Sequence, residues 1–282
     1  MSAPTAPVTE VTGSSGTFPA YRAGMILLGC YIVLLTRAGT MPDVLWTMLV
    51  VFAAAVVSGV TGFGFAPICG AALAHLLGDP RQALAITLVC AVASEAAMVW
   101  SLRRDIDWHA CPDFLLGVAA GLPVGFYVLL HTCSKPVAQA MGGLLVIYAA
   151  VTMWRRPVAI ECRHGIADAF AGVLGGITGG IAAFPGAPVV VWCGLKGWSK
   201  ERQRGLYQPV ILILQLAGLA VMAAGEFAGA RHREIDWSGL LHLPAVLLGT
   251  SLGMALFGQL NDRQFGLAGK ILLLVCGAIL LL

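Results

Sequence analysis

The chain has 282 residues, of which 59% are hydrophobic and only 11% are charged, and its formal net charge at pH 7 is +3. A soluble domain has about 25% charged residues, so a chain this apolar cannot cover itself with polar surface in water. We therefore predict an integral membrane protein whose principal partner is the lipid bilayer, and we expect no nucleic-acid partner.

The N-terminal region differs in composition from the rest of the chain. Residues 1–22 are rich in Ser, Thr, Pro and Gly and have no basic n-region, so we predict a disordered tail rather than a cleaved signal peptide. Residues 23–42 form an extra N-terminal segment that contains one short apolar run, Ala23–Thr36.

Ten further apolar runs follow, separated by charged residues or by Pro and Gly. They are Val44–Phe63, Phe65–Leu77, Gln82–Leu102, Phe114–Leu130, Val137–Met153, Ile166–Ile181, Phe184–Leu195, Leu206–Ala224, Leu240–Leu260 and Phe265–Leu282. A helix that crosses the hydrocarbon core needs roughly 20 residues. Most runs meet this length, whereas the second and the seventh are short. The predicted fold is an all-α polytopic helical bundle with some short or broken helices.

The same short sequence motifs occur twice in the same order, which indicates an internal repeat. Each copy has a glycine-rich stretch followed by proline, and later an acidic-Ile-Asp-Trp motif. The first copy has Ser58–Gly64 with Pro67 and Asp105–Trp108, and the second has Gly175–Gly180 with Pro185 and Glu234–Trp237. We predict two homologous membrane repeats, residues 43–154 and 165–282, joined by a cytoplasmic linker at 155–164.

The orientation of the repeats follows from the number of crossings. Each half has five apolar runs, and an odd number of crossings gives the two halves opposite orientations, as in many secondary transporters. With every run crossing, most Arg and Lys residues fall on one side, which the positive-inside rule assigns to the cytoplasm together with the N-terminal tail. The sequence therefore favours inverted repeats.

The two glycine-rich stretches are the first candidates for a substrate site. Thr61-Gly62-Phe63-Gly64 and Thr178-Gly179-Gly180 are predicted to interrupt helices within the membrane, where irregular backbone is tolerated only if protein or a wet cavity surrounds it. Half-helices beginning at Pro67 and Pro185 would point backbone N–H groups at an anion. The alternative is that these glycines only permit close helix packing.

Charged and polar side chains near the short runs are the second set of candidates. Arg81, Arg202 and Arg204 precede long apolar runs, and guanidinium groups bind carboxylate or sulfonate oxygens in pairs. Alternatively, these arginines extend to lipid headgroups. Glu95 lies deep inside an apolar run, where ionisable groups are usually functional. It could carry a coupling proton or form a structural pair.

Other chemistries have weaker support. Cys69 and Cys193 lie near the two glycine-rich stretches, so an intramembrane thiol- or sulfur-handling enzyme is an alternative function. The histidines and cysteines show no metal-ligand spacing, and no nucleotide-binding motif occurs. We therefore expect no metal and no cofactor.

The residues in and around the glycine-rich stretches resemble the sulfite exporter TauE/SafE family of membrane permeases. The resemblance rests on Gly59–Gly64 with Pro67, on Gly172–Gly180 with Pro185, and on the turn Gly78–Ala83. It implies a multi-pass inner-membrane permease that moves a small sulfur-containing or organic anion, such as sulfite or a sulfonate. Family members often have more glycine where this chain has Phe63 and Phe65, which implies a narrower or more apolar pocket.

These arguments give one list of expected site residues. The predicted substrate-binding residues are Thr61, Gly62, Gly64, Pro67, Thr178, Gly179, Gly180, Pro185, Arg81, Arg202, Arg204 and Gln208, with Glu95 as the coupling candidate. Alternating access around the two breaks, coupled to protons or sodium, is the expected mechanism. A passive anion channel is the other open alternative, and the oligomeric state is left open.

Overall fold

The computed structural model describes residues 41–106, 108, 111–131, 134–154, 165–182, 187–227 and 237–281. The predicted tail, the predicted linker at 155–164 and nearly all of the predicted extra segment lie outside these residues. Most of the described residues are helical, with no strand among them. The predicted all-α membrane fold is confirmed.

Ten α-helices follow one another in the part of the chain that the structure describes. They are α1 (Met41–Thr61), α2 (Phe65–Leu77), α3 (Pro80–Leu102), α4 (Cys111–His131), α5 (Ser134–Trp154), α6 (Ile166–Ala182), α7 (Ala187–Leu195), α8 (Lys200–Phe227), α9 (Leu243–Gln259) and α10 (Asp262–Leu281). A short 3-10 helix, Trp237–His242, leads into α9.

Three segments of the described residues are long and apolar enough to cross a membrane, namely Val44–Thr61, Gln82–Leu102 and Gly239–Gln259. Large apolar side chains remain exposed on the outer surfaces of the helices, among them Leu45, Trp46, Leu116, Ile147 and Leu248. Lipid would cover these side chains, because apolar side chains, unlike polar groups, need no internal partner in a bilayer.

Glycines bring two pairs of helices into close contact. A Cβ atom on Gly117 of α4 would lie 2.0 Å from the carbonyl oxygen of Ala169 of α6, and one on Gly172 of α6 would lie 2.3 Å from that of Phe114. The pair α1–α9 is equally close, since a Cβ on Gly253 would lie 2.4 Å from the carbonyl oxygen of Val56. Only glycine permits backbones to approach this closely.

The second glycine-rich stretch does not interrupt a helix where the sequence predicted it. Helix α6 continues through Thr178, Gly179 and Gly180 and ends at Ala182. Gly176 and Gly180 face α4, with Gly176 close to the carbonyl oxygen of Val118. Glycine therefore serves helix packing in α6, and the prediction of a break at Thr178–Gly180 is wrong.

Candidate functional site

The chain leaves helical geometry between α1 and α2. Helix α1 ends at Thr61 and α2 begins at Phe65, two residues before Pro67, where the sequence had predicted its start. Gly62 and Gly64 have φ angles of 83° and 88°, in the left-handed region that favours glycine. Pro67 lies in the first turn of α2, where proline is well tolerated.

The N-terminal end of α2 is buried against α10. Gly64 is buried, and a Cβ atom on it would lie 2.7 Å from Cδ2 of Leu272. This end of the helix therefore meets an apolar side chain, and the polar groups of the region come instead from α3 and α8.

Three side chains of α8 bind the carbonyl oxygens at the end of α1. Arg204 donates from Nη1 to the carbonyl oxygen of Gly59 at 2.9 Å. The Tyr207 hydroxyl donates to that of Thr61 at 2.7 Å. Gln208 donates from Nε2 to that of Gly62 at 3.2 Å. Because residues 204, 207 and 208 share one helix face, α8 satisfies the carbonyls that the end of α1 leaves without helical partners.

Arg204 is fully buried, so its cation lies away from solvent. Its Nε and Nη2 atoms both donate to the amide oxygen Oε1 of Gln208 at 3.2 Å, and Nη2 also lies 2.9 Å from the sulfur of Met98. The Phe257 ring stands 4.3 Å from the guanidinium carbon, a cation–π distance. The Nε–Nη2 edge is the edge at which a guanidinium binds two oxygens of one anion.

A carboxylate completes the cluster from α3. Glu95 is buried, and its Oε2 atom accepts a hydrogen bond from Nε2 of Gln208. Gln208 thus links Glu95 and Arg204, accepting from the cation with its oxygen and donating to the carboxylate with its nitrogen. We call Arg204, Tyr207, Gln208 and Glu95, together with the break at 62–64, the α8 cluster.

Hydroxyl groups surround the cluster. The Thr61 hydroxyl lies 2.9 Å from the carbonyl oxygen of Val57 and 3.0 Å from that of Phe63. The hydroxyls of Ser94 and Thr250 are 2.8 Å apart, so α3 and α9 are joined beside Glu95. Ser58 is fully buried, and its hydroxyl has no hydrogen-bond partner among the described residues.

The structure brings only some of the predicted site residues together. Thr61, Gly62, Gly64, Arg204, Gln208 and the coupling candidate Glu95 meet at the α8 cluster, with Pro67 one turn into α2. Arg202 is exposed and lies over the Trp198 ring at 4.4 Å. Arg81 is the second residue of α3, Thr178, Gly179 and Gly180 lie on α6, and Pro185 lies outside the described residues.

Sequence reasoning did not identify Tyr207 or Met98. Tyrosine and methionine are common in membrane helices, and neither disturbs the apolar pattern enough to stand out. A usable signal was the spacing of Arg204, Tyr207 and Gln208, which places all three on one helix face. No group of three or more His, Cys, Asp or Glu side chains is placed to hold a metal ion within the described ranges.

The two cysteines near the glycine-rich stretches belong to different parts of the core. Cys69 packs in a cluster formed with residues of α1, α2 and α3, whereas Cys193 packs with residues of α4, α5 and α8. Both thiols are fully buried. They do not form one reactive site.

These observations define a class: a multi-pass helical membrane protein with a buried cation and a buried carboxylate inside its bundle. The chain belongs to the sulfite exporter TauE/SafE family, whose model, described as Sulfite exporter TauE/SafE, matches residues 47–280. This family consists of membrane transporters and not of enzymes, so the chain is a membrane transporter and the thiol-enzyme alternative is set aside. No curated protein and no solved structure matches the chain.

Proposed function

We propose that this protein is a secondary transporter of a small sulfur-containing or organic anion, such as sulfite or a sulfonate, and that the anion binds at Arg204. The observation that carries the proposal is the complete burial of Arg204, which lies on α8 among the packed helices of the bundle. A charged side chain within the membrane is costly and usually marks a substrate or ion pathway. The family supports the transport of a small anion, and the cation supplies the matching charge.

Gln208 gives the proposed site a way to respond to its ligand. Its amide oxygen occupies the Nε–Nη2 edge of Arg204, where two oxygens of a carboxylate or sulfonate would bind. An arriving anion displaces this oxygen, and Gln208 then shifts relative to Glu95, its other partner. In this mechanism Glu95 is the coupling residue, and it takes up a proton or a sodium ion when the anion binds.

We further propose that the two halves are homologous repeats in opposite orientations, and the helix packing supports their homology. Helix α1 packs on α9, and their counterparts in the other half, α6 and α4, pack on each other. Successive glycines of one helix approach successive positions of its partner in the same chain direction. Gly249 and Gly253 of α9 approach Phe52 and Val56 of α1, and Gly117 and Gly125 of α4 approach Ala169 and Ile177 of α6. Both pairs are therefore parallel, as symmetry between two homologous halves requires.

Alternating access is proposed around the first break alone, at Gly62–Gly64, because α6 is continuous through its glycines. A passive anion channel remains the second candidate for the mechanism. A carrier shows saturable uptake and exchange accelerated by substrate on the opposite side, whereas a channel shows neither. Uptake measured against substrate concentration in proteoliposomes therefore separates the two.

The proposed site is tested by Arg204→Gln in the full chain, reconstituted in proteoliposomes and assayed for uptake of radiolabelled sulfite and sulfoacetate. Loss of hydrogen bonds to a charged group should reduce uptake about 10- to 100-fold. Arg104→Gln is the matched control, because Arg104 is an exposed arginine outside the cluster. If Arg204→Gln is correctly inserted and transports either anion as well as Arg104→Gln, the anion does not bind at Arg204.

A further inference from the structure

A second polar region lies outside the α8 cluster. A half-open cavity of about 670 Å³ is bounded by α5, by the turn between α7 and α8, and by the first half of α10. Its lining includes Trp198, Gln203, Arg263 and Lys270, with Phe63 as the residue shared with the break between α1 and α2. The function proposed above uses none of the four polar or aromatic residues named first.

Two of the lining residues are cations on one helix. Arg263 is exposed at the second position of α10, and Lys270 is half-buried two turns further along, about 10 Å along the helix axis. Lys270 lies inside the apolar run of α10, and cationic side chains at such positions usually face a water-filled cavity or a pathway. The lining therefore has one cation at an exposed position and a second cation at a half-buried one.

The Asp262 carboxylate also lines the cavity, and it caps a helix. Asp262 accepts a hydrogen bond from the backbone N–H of Lys200 at 2.9 Å, so it caps the start of α8. The ammonium group of Lys200 in turn donates to the carbonyl oxygens of Phe257 and Leu260. Asp262 thus holds the two helix starts together, and Arg263 and Lys270 leave the lining with a net positive charge.

The cavity and the α8 cluster share the side chain of Phe63, which contacts Tyr207. Phe63 is buried and lies edge-on to Tyr207, with their ring centroids 6.5 Å apart. Gly269 of α10 faces the Phe63 ring, since a Cβ atom on it would lie 3.9 Å from the ring, at van der Waals distance. On the other side, Tyr207 and Arg204 bind the end of α1.

We propose that this cavity is an anion-binding vestibule in which Arg263 and Lys270 hold a small oxyanion before it passes Phe63 to reach Arg204. The inference rests on the proposed function for the destination of the anion, whereas the binding of anions in the vestibule is a separate property. The basic residues around the cavity mouth assign the vestibule to the cytoplasmic side by the positive-inside rule.

The experiment measures the charge preference of the cavity directly. Gly266→Cys places a thiol on the cavity wall at a position where a Cβ atom meets nothing within 4 Å. The purified full chain in detergent is reacted with an anionic, sulfonate-bearing methanethiosulfonate and with a cationic, trimethylammonium-bearing one. Leu267→Cys is the second reporter, since Leu267 also lines the cavity. Ser199→Cys reports on an exposed position of the turn between α7 and α8 that is not itself part of the cavity lining.

The anionic reagent should react faster than the cationic one at Gly266→Cys, in contrast to Ser199→Cys. Adding Lys270→Gln or Arg263→Gln should lower the ratio of anionic to cationic rates at least about threefold, and high salt should reduce the difference. Arg104→Gln is the matched control and should leave the ratio unchanged. The parent chain without a reporter gives the background from its native cysteines.

Two results would overturn the vestibule: equal rates for both reagents that do not respond to either substitution, or no reaction at both reporters while Ser199→Cys reacts. This readout requires no transport, so it is independent of the Arg204→Gln test. If the charge preference is found and Arg204→Gln transports normally, the vestibule is supported and the proposed binding site at Arg204 is rejected.

Discussion

The carboxylate of Glu95 on α3 accepts a hydrogen bond from the side-chain amide of Gln208 on α8, at a point where both side chains are buried. The two residues are 113 positions apart in the chain and lie in different predicted repeats. Gln208 also accepts a hydrogen bond from Arg204, so the Gln208 side chain connects the cation of Arg204 to the carboxylate of Glu95.

Glu95→Gln should uncouple transport from its driving gradient. The substitution keeps an acceptor for Gln208 but removes the ionisable group, so the fold and the anion site remain while the coupling ion has no ligand. We expect exchange of labelled for unlabelled anion to continue, and accumulation driven by a proton or sodium gradient to fall to background. Both are measured in proteoliposomes.

The control for this prediction is Glu201→Gln, because the Glu201 side chain is 47% exposed at the start of α8. It should leave both exchange and accumulation unchanged. Gradient-driven accumulation by Glu95→Gln at the rate of the parent chain would exclude Glu95 as the coupling residue.

Gly62→Ala should abolish transport, and Gly78→Ala should not. Both glycines have positive φ angles, 83° and 65°, so each alanine costs about 1 to 2 kcal/mol of backbone strain. At Gly62 a Cβ atom would also lie 2.6 Å from the Tyr207 hydroxyl and 2.8 Å from Nε of Arg204, whereas at Gly78 it meets nothing within 4 Å.

Gly62→Ala and Gly78→Ala therefore have the same backbone strain, but only Gly62→Ala displaces side chains of the α8 cluster. Membrane insertion and thermal stability in detergent give the common effect, and anion uptake gives the specific one. Equal uptake by correctly inserted Gly62→Ala and Gly78→Ala would show that the cluster tolerates displacement of Tyr207 and Arg204.

Local sequence signals identified three of the four side chains of the α8 cluster. Glu95 and Gln208 interrupt apolar runs, and Arg204 directly precedes one. The break predicted in the glycine-rich stretch of α6 is wrong, because glycine in membrane helices can either break a helix or let two helices pack closely. The neighbour that decides between these uses, α4, is some 50 residues away in the sequence, and no local pattern reports the contact.

Gly121→Ala tests the close packing of α4 on α6. A Cβ atom on Gly121 would lie 2.2 Å from the carbonyl oxygen of Val173, a backbone atom that cannot turn aside. Overpacking of this kind costs about 1 to 3 kcal/mol, so the melting temperature in detergent should fall. Gly143→Ala is the control, because a Cβ on Gly143 of α5 meets nothing within 4 Å. A melting temperature for Gly121→Ala equal to that of Gly143→Ala would mean that α4 and α6 can separate without loss.

The buried ion pair between Asp168 of α6 and Lys196, just after α7, should show strong coupling in a double-mutant cycle. Lys196 Nζ lies 2.6 Å from Asp168 Oδ1 and 2.8 Å from Oδ2, and the indole N–H of Trp192 donates to Oδ1 at 2.6 Å. The side chains of Asp168 and Lys196 are no more than 2% exposed. Removing one partner leaves a buried charge, which costs about 3 to 5 kcal/mol.

Lys196→Met and Asp168→Asn should therefore each destabilise the protein strongly, while the double variant should be less destabilised than the sum of the two. Unfolding in mixed micelles measures all four forms. The pair of Lys200 and Glu201 provides the comparison, because its charged atoms are 3.6 Å apart and the Glu201 side chain is 47% exposed, so Glu201→Gln should cost less than about 1 kcal/mol. Additive losses in the Asp168–Lys196 cycle would mean that each charge is stabilised by groups other than its partner. In that case the turn at Gly197 and the Trp198 ring on the vestibule wall would not depend on the ion pair for their position.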